Sequence, residues 1–234
     1  MSFSLITKEL KKHADPIRAK NCLWFFKTGP GEYGEGDKFI GITSSQMRTI
    51  AKKYKDANFD AIQKLLKSSI HEFRQMGVLI LVYKYPKADD TARKQIFNLY
   101  IKNYKNINNW DLVDISAPHV VGQYLLDKPA HRKILYTFAK SKDLWKKRIA
   151  IISTFTFIRD NDFYDALNIS EVLLYDTHDL IHKAVGWMLR EIGNRNQKVE
   201  ETFLKKYYKI MPRTMLRYAI EKFDPLKRAR YLKK

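Results

Sequence analysis

The chain of 234 residues has a single cysteine, Cys22, nine glycines and seven prolines. One cysteine excludes a disulfide framework and a thiolate metal cluster and fits a reducing cytosol. So few glycines and prolines argue against a loop-rich all-β protein. Long apolar runs are missing too. The longest, Gly77 to Tyr83, falls far short of the ~20 residues that span a bilayer. The opening MSFSLITKELKKHADP has neither an uninterrupted apolar core nor a small-residue cleavage site, so no signal peptide is read and a cytoplasmic protein, in the bacterial cytosol or nucleoid, is expected. Acidic residues are also scarce: 25 Asp and Glu against 44 Lys and Arg leave a formal charge of +19. Such an excess calls for a polyanionic partner, nucleic acid before an acidic membrane surface. With 45% hydrophobic and 29% charged residues, the composition is that of a folded globular chain.

What is present is helical periodicity. Apolar residues recur at i, i+3, i+4 and i+7 almost throughout, which predicts roughly a dozen short helices and an all-α fold. Capping residues stand where helices should begin: Thr43-Ser44-Ser45 before Gln46, Asp89-Asp90 before Thr91, and Asp143 before Leu144. Pro16, Pro86, Pro129, Pro212 and Pro225 fall between helices or in first turns, where proline is tolerated. The one loop of distinctive composition is KTGPGEYGEGDK, Lys27 to Lys38, which holds four of the nine glycines. It lacks a Gly-Lys-Ser/Thr ending and carries three acidic residues, so it reads as a mobile loop rather than a phosphate cradle.

Four frames line up. Asp114, Arg148, Lys183 and Arg217 are separated by 34, 35 and 34 residues, and Gln75 precedes Asp114 by 39. A period of about 35 to 39 residues with two helices per unit marks an α-solenoid of HEAT-like, ARM-type repeats. Equivalent positions of successive repeats face one way, so these residues are expected to line one concave, basic surface of a single domain over residues 1–234. A single-chain solenoid buries its own core, which predicts a monomer.

Within Asn108-Asn109-Trp110-Asp111-Leu112-Val113-Asp114, Trp110 and Asp114 are four apart and share a helix face. Lys183 and Trp187 repeat the spacing in reverse, with Arg190 three further on. Trp beside cations is a recurrent grip on nucleic acid, because the ring offers an apolar platform while the cations hold phosphates. Each tryptophan taken alone could equally be a core residue, and Asp114 a surface carboxylate. His178-Asp179-Leu180-Ile181-His182 imitates a zinc helix, but the carboxylate is short and a third ligand is not evident, so helix-start and packing roles are read there and no metal or other cofactor is expected. Cys22, among aromatics, reads as a buried structural thiol.

NWDLVDISAPHVVG, LWKKRIAIISTFTFIR, HDLIHKAVGWMLREIG and PRTMLRYAIEKF resemble the signature segments of the DNA alkylation repair enzymes of the AlkD type, and the resemblance runs from about Gly41 to Phe223. It implies a superhelix of HEAT-like repeats around duplex DNA containing alkylated bases, and a monofunctional glycosylase that excises cationic N3- and N7-alkylated purines (3-methyladenine, 7-methylguanine) without flipping the base. It places the catalytic carboxylate on Asp114, the sugar-packing tryptophans on Trp110 and Trp187, and the key phosphate ligand on Arg148. Lys183, Arg190, Arg217 and Arg48 are the further DNA contacts expected. The chain departs from the pattern at Lys20–Lys38. Where the family carries a Tyr on an early helix, this chain reads KNCLWFFK, and Trp24, Phe25 and Phe26 are read as core and helix-packing residues. Two other readings stand beside the glycosylase: a non-catalytic protein of the same fold binding damaged or branched DNA, and a helical scaffold for an acidic protein.

The residue types suit the chemistry. Dissociative cleavage of an N-glycosyl bond leaves positive charge on the sugar, which a carboxylate stabilises and an indole face favours. One opposed pair at ~4 Å and an effective dielectric near 20 contributes about 4 kcal/mol, roughly a thousandfold in rate. That is too little for an ordinary nucleoside. It suffices for an alkylated purine, which already carries charge and leaves neutral without a general acid.

Overall fold

The structure is a computed structural model that describes residues 2–233. Among these residues there is no β-strand, only an isolated bridge between Lys38 and Ile70. The all-α expectation holds. The chain forms two compact units, Met1–Tyr124 and Leu125–Lys234.

In the first unit, α1 (Phe3–Lys11), α2 (Pro16–Phe25), α3 (Ser44–Lys53), α4 (Phe59–Leu66), α5 (His71–Lys84), α6 (Asp90–Lys102) and α7 (Trp110–Asp114) are followed by a π turn, Pro118–Gly122. A short α8 (Gln123–Leu125) closes it at the division. The starts follow the capping residues. Thr43 and Gln46 form a reciprocal capping box on α3, and Asp89 accepts from the Ala92 amide at α6. α5 is the axis of the unit: α3 and α4 pack on it, as do α7 and the π turn. Accordingly every residue from His71 to Leu81 except Gln75 is buried, the polar His71, Glu72 and Arg74 among them.

α2 is the exception. None of its ten residues is buried. It is fastened at its start, where the Asp15 carboxylate accepts from the Ile17 and Arg18 amides and the Asp15 amide donates to the Ile40 carbonyl. Gly41, at φ +84°, passes so close that a Cβ there would lie 2.1 Å from the Asp15 carbonyl oxygen. Only glycine satisfies both conditions.

The second unit contains α9 (Lys133–Ala139), α10 (Leu144–Ser153), α11 (Phe155–Arg159), α12 (Tyr164–Val172), α13 (Asp179–Arg195), α14 (Gln197–Tyr207), α15 (Arg213–Ala219) and α16 (Pro225–Leu232). Here α13 is the axis, against which α10, α14 and α15 pack. The aligned frames all fall in helices: Gln75 on α5, Asp114 on α7, Arg148 on α10, Lys183 on α13 and Arg217 on α15. Helix pairs at a regular period are the repeat architecture that the spacing predicts.

The tightest helix contact is between α13 and α15. A Cβ at Gly186 would stand 2.4 Å from the Met215 carbonyl oxygen and 2.5 Å from the Tyr218 Cβ. Alanine gains about 1 kcal/mol in helix propensity over glycine, but prising two packed helices apart costs about 1–3 kcal/mol. Gly186→Ala is therefore expected to lower stability in urea melts, and a variant as stable as wild type would contradict the close approach.

Candidate functional site

α7 is only five residues long, so its position depends on its anchors. Asn109 caps it, its Oδ1 accepting from the Trp110 amide at 2.8 Å. In its first turn, Asp111 is buried and Oδ2 accepts from His71 Nε2 at 2.8 Å and Gln75 Nε2 at 3.1 Å. Those two donors are on α5. On its other side, His71 Nδ1 lies 3.3 Å from Asp37 Oδ2, and the second Asp37 oxygen accepts from Arg74 Nη2 at 2.7 Å. One buried network thus joins the end of the glycine-rich loop, the axial helix and α7. Burial alone would lower the pKa of His71, but the Asp111 and Asp37 carboxylates push it up to about 9, so the ring is an imidazolium at neutral pH. Burial works against ionised Asp37 as well, yet His71 and Arg74 hold its carboxyl below its ordinary value.

Above this network lies an aromatic stack. His71 is flanked by Phe26 and Phe39, at 4.9 and 4.7 Å between centroids. Phe26 stacks on Trp110 at 5.6 Å and 28°, and Phe25 meets Trp110 edge-on at 5.9 Å. Trp110 and Asp114, both half-buried, open onto a cleft of about 910 Å³ that Trp24, Phe25, Phe39 and Gln75 also line. The charge of Asp114 adds to the effect of burial in pushing the enclosed Tyr100 hydroxyl above its ordinary range. Glu72, at the cleft's base, accepts from the Ile40 and Gly41 amides, 3.1 and 2.7 Å from its Oε1. Cys22 is half-buried in the cleft wall rather than enclosed, and burial pushes its thiol up.

Two expectations for the segment Lys20–Lys38 change. Trp24 is 77% and Phe25 53% exposed, so neither is a core residue; Phe25 touches Trp110 only by its edge, and Phe26 is the one of the three drawn into the stack. The glycine-rich loop is tied rather than loose. Glu32 and Glu35 accept from the Gly29 and Gly31 amides, and Asp37 anchors the loop's end in the buried network.

The second unit holds the other candidates. Arg148 is buried, with Nη1 donating to the Leu180 carbonyl in the first turn of α13. Lys183 pairs with Asp179 at 2.7 Å, and Arg190 with Glu221. Trp187 is half-buried; its Nε1 donates to Glu191 at 2.9 Å, and Phe155 lies 5.8 Å away. Arg217, like Arg48 on α3 of the first unit, is exposed. His178 caps α13, its Nδ1 accepting from the Leu180 amide, and His182 donates to the Asp176 carbonyl. Both histidines of the zinc-like motif are thus engaged in holding a helix start. Burial keeps His178 below its ordinary pKa, as an acceptor must be.

His71, Asp37, Arg74 and Asp111 did not stand out in the sequence as a group. They are scattered over about seventy positions, and no spacing rule joins a loop aspartate to a helix histidine. The nearest signal was Gln75, whose frame lies on the same helix.

Stacked helix pairs, a strong basic excess and an aromatic cleft holding a carboxylate define an all-α repeat protein equipped for a polyanion. The chain belongs to the family of DNA alkylation repair enzymes, whose family model matches residues 6–223. The resemblance carried by the four segments is borne out, and alkylated DNA is the substrate on which this family of repair enzymes acts. A solved structure, of a predicted DNA alkylation repair enzyme from Enterococcus faecalis, is similar with a TM-score of 0.70 and 13% identity over 91% of this chain and 98% of that one. At that identity the likeness is one of fold. No curated protein matches the chain. Among the described residues, no helix is long and apolar enough to cross a membrane.

The His71 network predicts a pH dependence. A histidine with a folded pKa of about 9 against an ordinary 6.5 contributes stability that is complete below pH 6.5 and is lost as the pH rises through 9. Thermal melts of wild type and His71→Gln should therefore converge as the pH is raised from 6 to above 9, and curves that stay parallel would remove the imidazolium from the network.

Proposed function

We propose that the protein is a monofunctional DNA glycosylase that excises cationic N3- and N7-alkylated purines, such as 3-methyladenine and 7-methylguanine, from duplex DNA, the lesion remaining in the helix. The observation that carries this reading is the pairing of Trp110 and Asp114 on one short, buttressed helix at the wall of an open aromatic cleft. The carboxylate and the ring have the types and the spacing needed to meet a sugar that becomes cationic.

In the proposed reaction the bond between the purine nitrogen and C1′ breaks with both electrons going to the base, which leaves neutral. C1′ accepts a water oxygen, and the proton so released passes to the Asp114 carboxylate or to solvent. Trp110 offers its indole face to the sugar cation, a role that the resemblance gives to Trp187 as well. Arg148, Lys183, Arg190, Arg217 and Arg48 serve phosphates in this reading. Phosphate must compete with Asp179 for Lys183 and with Glu221 for Arg190, whereas exposed Arg48 and Arg217 are open to it without such competition. No cofactor enters, and a monomer suffices.

The test is release of free 3-methyladenine and 7-methylguanine from methylated duplex DNA, with binding followed in parallel. Asp114→Asn should lower release by about a hundredfold or more and leave DNA affinity similar or higher. Unchanged release would sink the assignment. Tight binding with no release from wild type would instead assign the chain to the non-catalytic DNA binders. Neutralising several phosphates should also give a steep negative slope of log affinity against log salt, and a flat one would favour an acidic protein partner.

A further inference from the structure

α2 presents an apolar and cationic face that the glycosylase reading does not use. Ile17, Lys20 or Asn21, and Trp24 follow one another at helical spacing, and all are exposed, with Ile17 and Trp24 each 77% accessible. Phe25, 53% exposed, continues this face into the cleft, where its edge meets Trp110. Exposed Arg18 and Lys20 line the same cleft. The Lys27 ammonium lies 5.4 Å from the Trp24 ring centroid. Two planar rings on a helix none of whose residues is fully buried, with cations on both sides and an opening toward a candidate DNA site, are unusual for a packing surface.

We propose that Trp24 and Phe25 form a stacking shelf for an unpaired nucleotide of the DNA, with Arg18, Lys20 and Lys27 holding its flanking phosphates. Charge complementarity selects the occupant. The rim is cationic, the whole chain carries +19, and a nucleotide is the ligand that joins a flat π face to an anion. A lipid surface would better suit a longer aliphatic face, and a second copy of this chain would bring like charges together. The shelf accepts any base, because each has a π face, so it reads strandedness rather than sequence. The proposal rests on DNA being the substrate and is independent of excision: the shelf holds a nucleotide outside the duplex, not the lesion.

The experiment compares a fully paired duplex with the same duplex carrying a one-nucleotide bulge of 2-aminopurine, by anisotropy and by probe fluorescence. The expected result is at least about fivefold tighter binding of the bulged duplex, the lower end of one base–aromatic stack, with quenching of the probe. Trp24→Ala combined with Phe25→Ala should abolish the preference and the quenching while fully paired binding stays within about twofold; Trp24→Phe, which keeps a ring, should retain most of both. Because both positions are exposed, the variants are expected to fold, and a melt confirms it. Equal affinity of wild type for the two duplexes overturns the proposal. So does a preference that survives in the double variant, or a variant whose only defect is in self-association or in binding to anionic vesicles. A wild type that releases methylated bases but shows no bulge preference would overturn the shelf alone, whereas a wild type that shows the preference but releases nothing would overturn the glycosylase alone.

Discussion

His71 is held between the carboxylates of Asp37 and Asp111, and the arrangement of the first unit's cleft depends on that contact. α7 is too short to be stable by itself, since a helix of five residues barely completes one turn beyond nucleation. It persists because Asp111 is hydrogen-bonded to two side chains of α5 and because Leu112 and Val113 are buried in the core. The same imidazolium reaches the other way to Asp37 and so fixes where the glycine-rich loop ends. Phe26 and Phe39, stacked on each other, then pack against its ring. Removing the charge would leave two buried carboxylates facing each other with only Arg74 and Gln75 to answer them, which is why the network acts as a single unit.

The two units differ in how they present their candidate residues. In the first, aromatics face an open cleft and the buried polar groups lie beneath it. In the second, three of the four candidate cations are tied to neighbouring carbonyls and carboxylates, Arg148 to Leu180, Lys183 to Asp179 and Arg190 to Glu221, while Arg217 is exposed. Close by, Gly193 leaves room for Glu200, whose Oε2 would lie only 1.7 Å from a Cβ at that glycine. Burial pushes the Glu200 carboxyl up to about 8, so it is largely protonated at neutral pH. It therefore leaves Arg190 to its exposed partner Glu221.

The sequence made the fold legible because helix pairs repeat. Gln75, Asp114, Arg148, Lys183 and Arg217, which carry the period, each lie in a helix, and Thr43, Asp89 and Asp143 cap the helices they precede. Trp110 and Asp114 could be found because i, i+4 spacing is local. The buried network could not, since its members meet only after the loop, α5 and α7 have packed. Trp24 and Phe25 misled for a related reason. Aromatic side chains in a helix are ordinarily covered, but covering requires a partner element, and periodicity within one helix cannot say whether that partner exists. Asp37 at the end of a glycine-rich loop gave no sign that it would pin the loop, because its partners lie more than thirty residues away.

Two carboxylates three residues apart on one short helix thus come to have different characters, and environment alone divides them. Asp37, Asp111, His71 and Arg74 are all buried, and with His71 protonated their charges sum to zero. Asp111 is therefore neutralised where it stands and contributes little field to the cleft. Glu72 is committed to the Ile40 and Gly41 amides, which hold its charge at the base. Asp114, by contrast, is only half-buried and lines the cleft wall. Cationic Arg18 and Lys20 stand at the mouth, where phosphates can be received. Under the proposed function, compensated charge below, Asp114 at the wall and cations at the rim let the site attract a polyanion and still offer negative charge to a sugar that becomes positive. Without the imidazolium beneath the wall, the buried group would keep Arg74 against two carboxylates and so carry one net negative charge, which would oppose the approach of a polyanion.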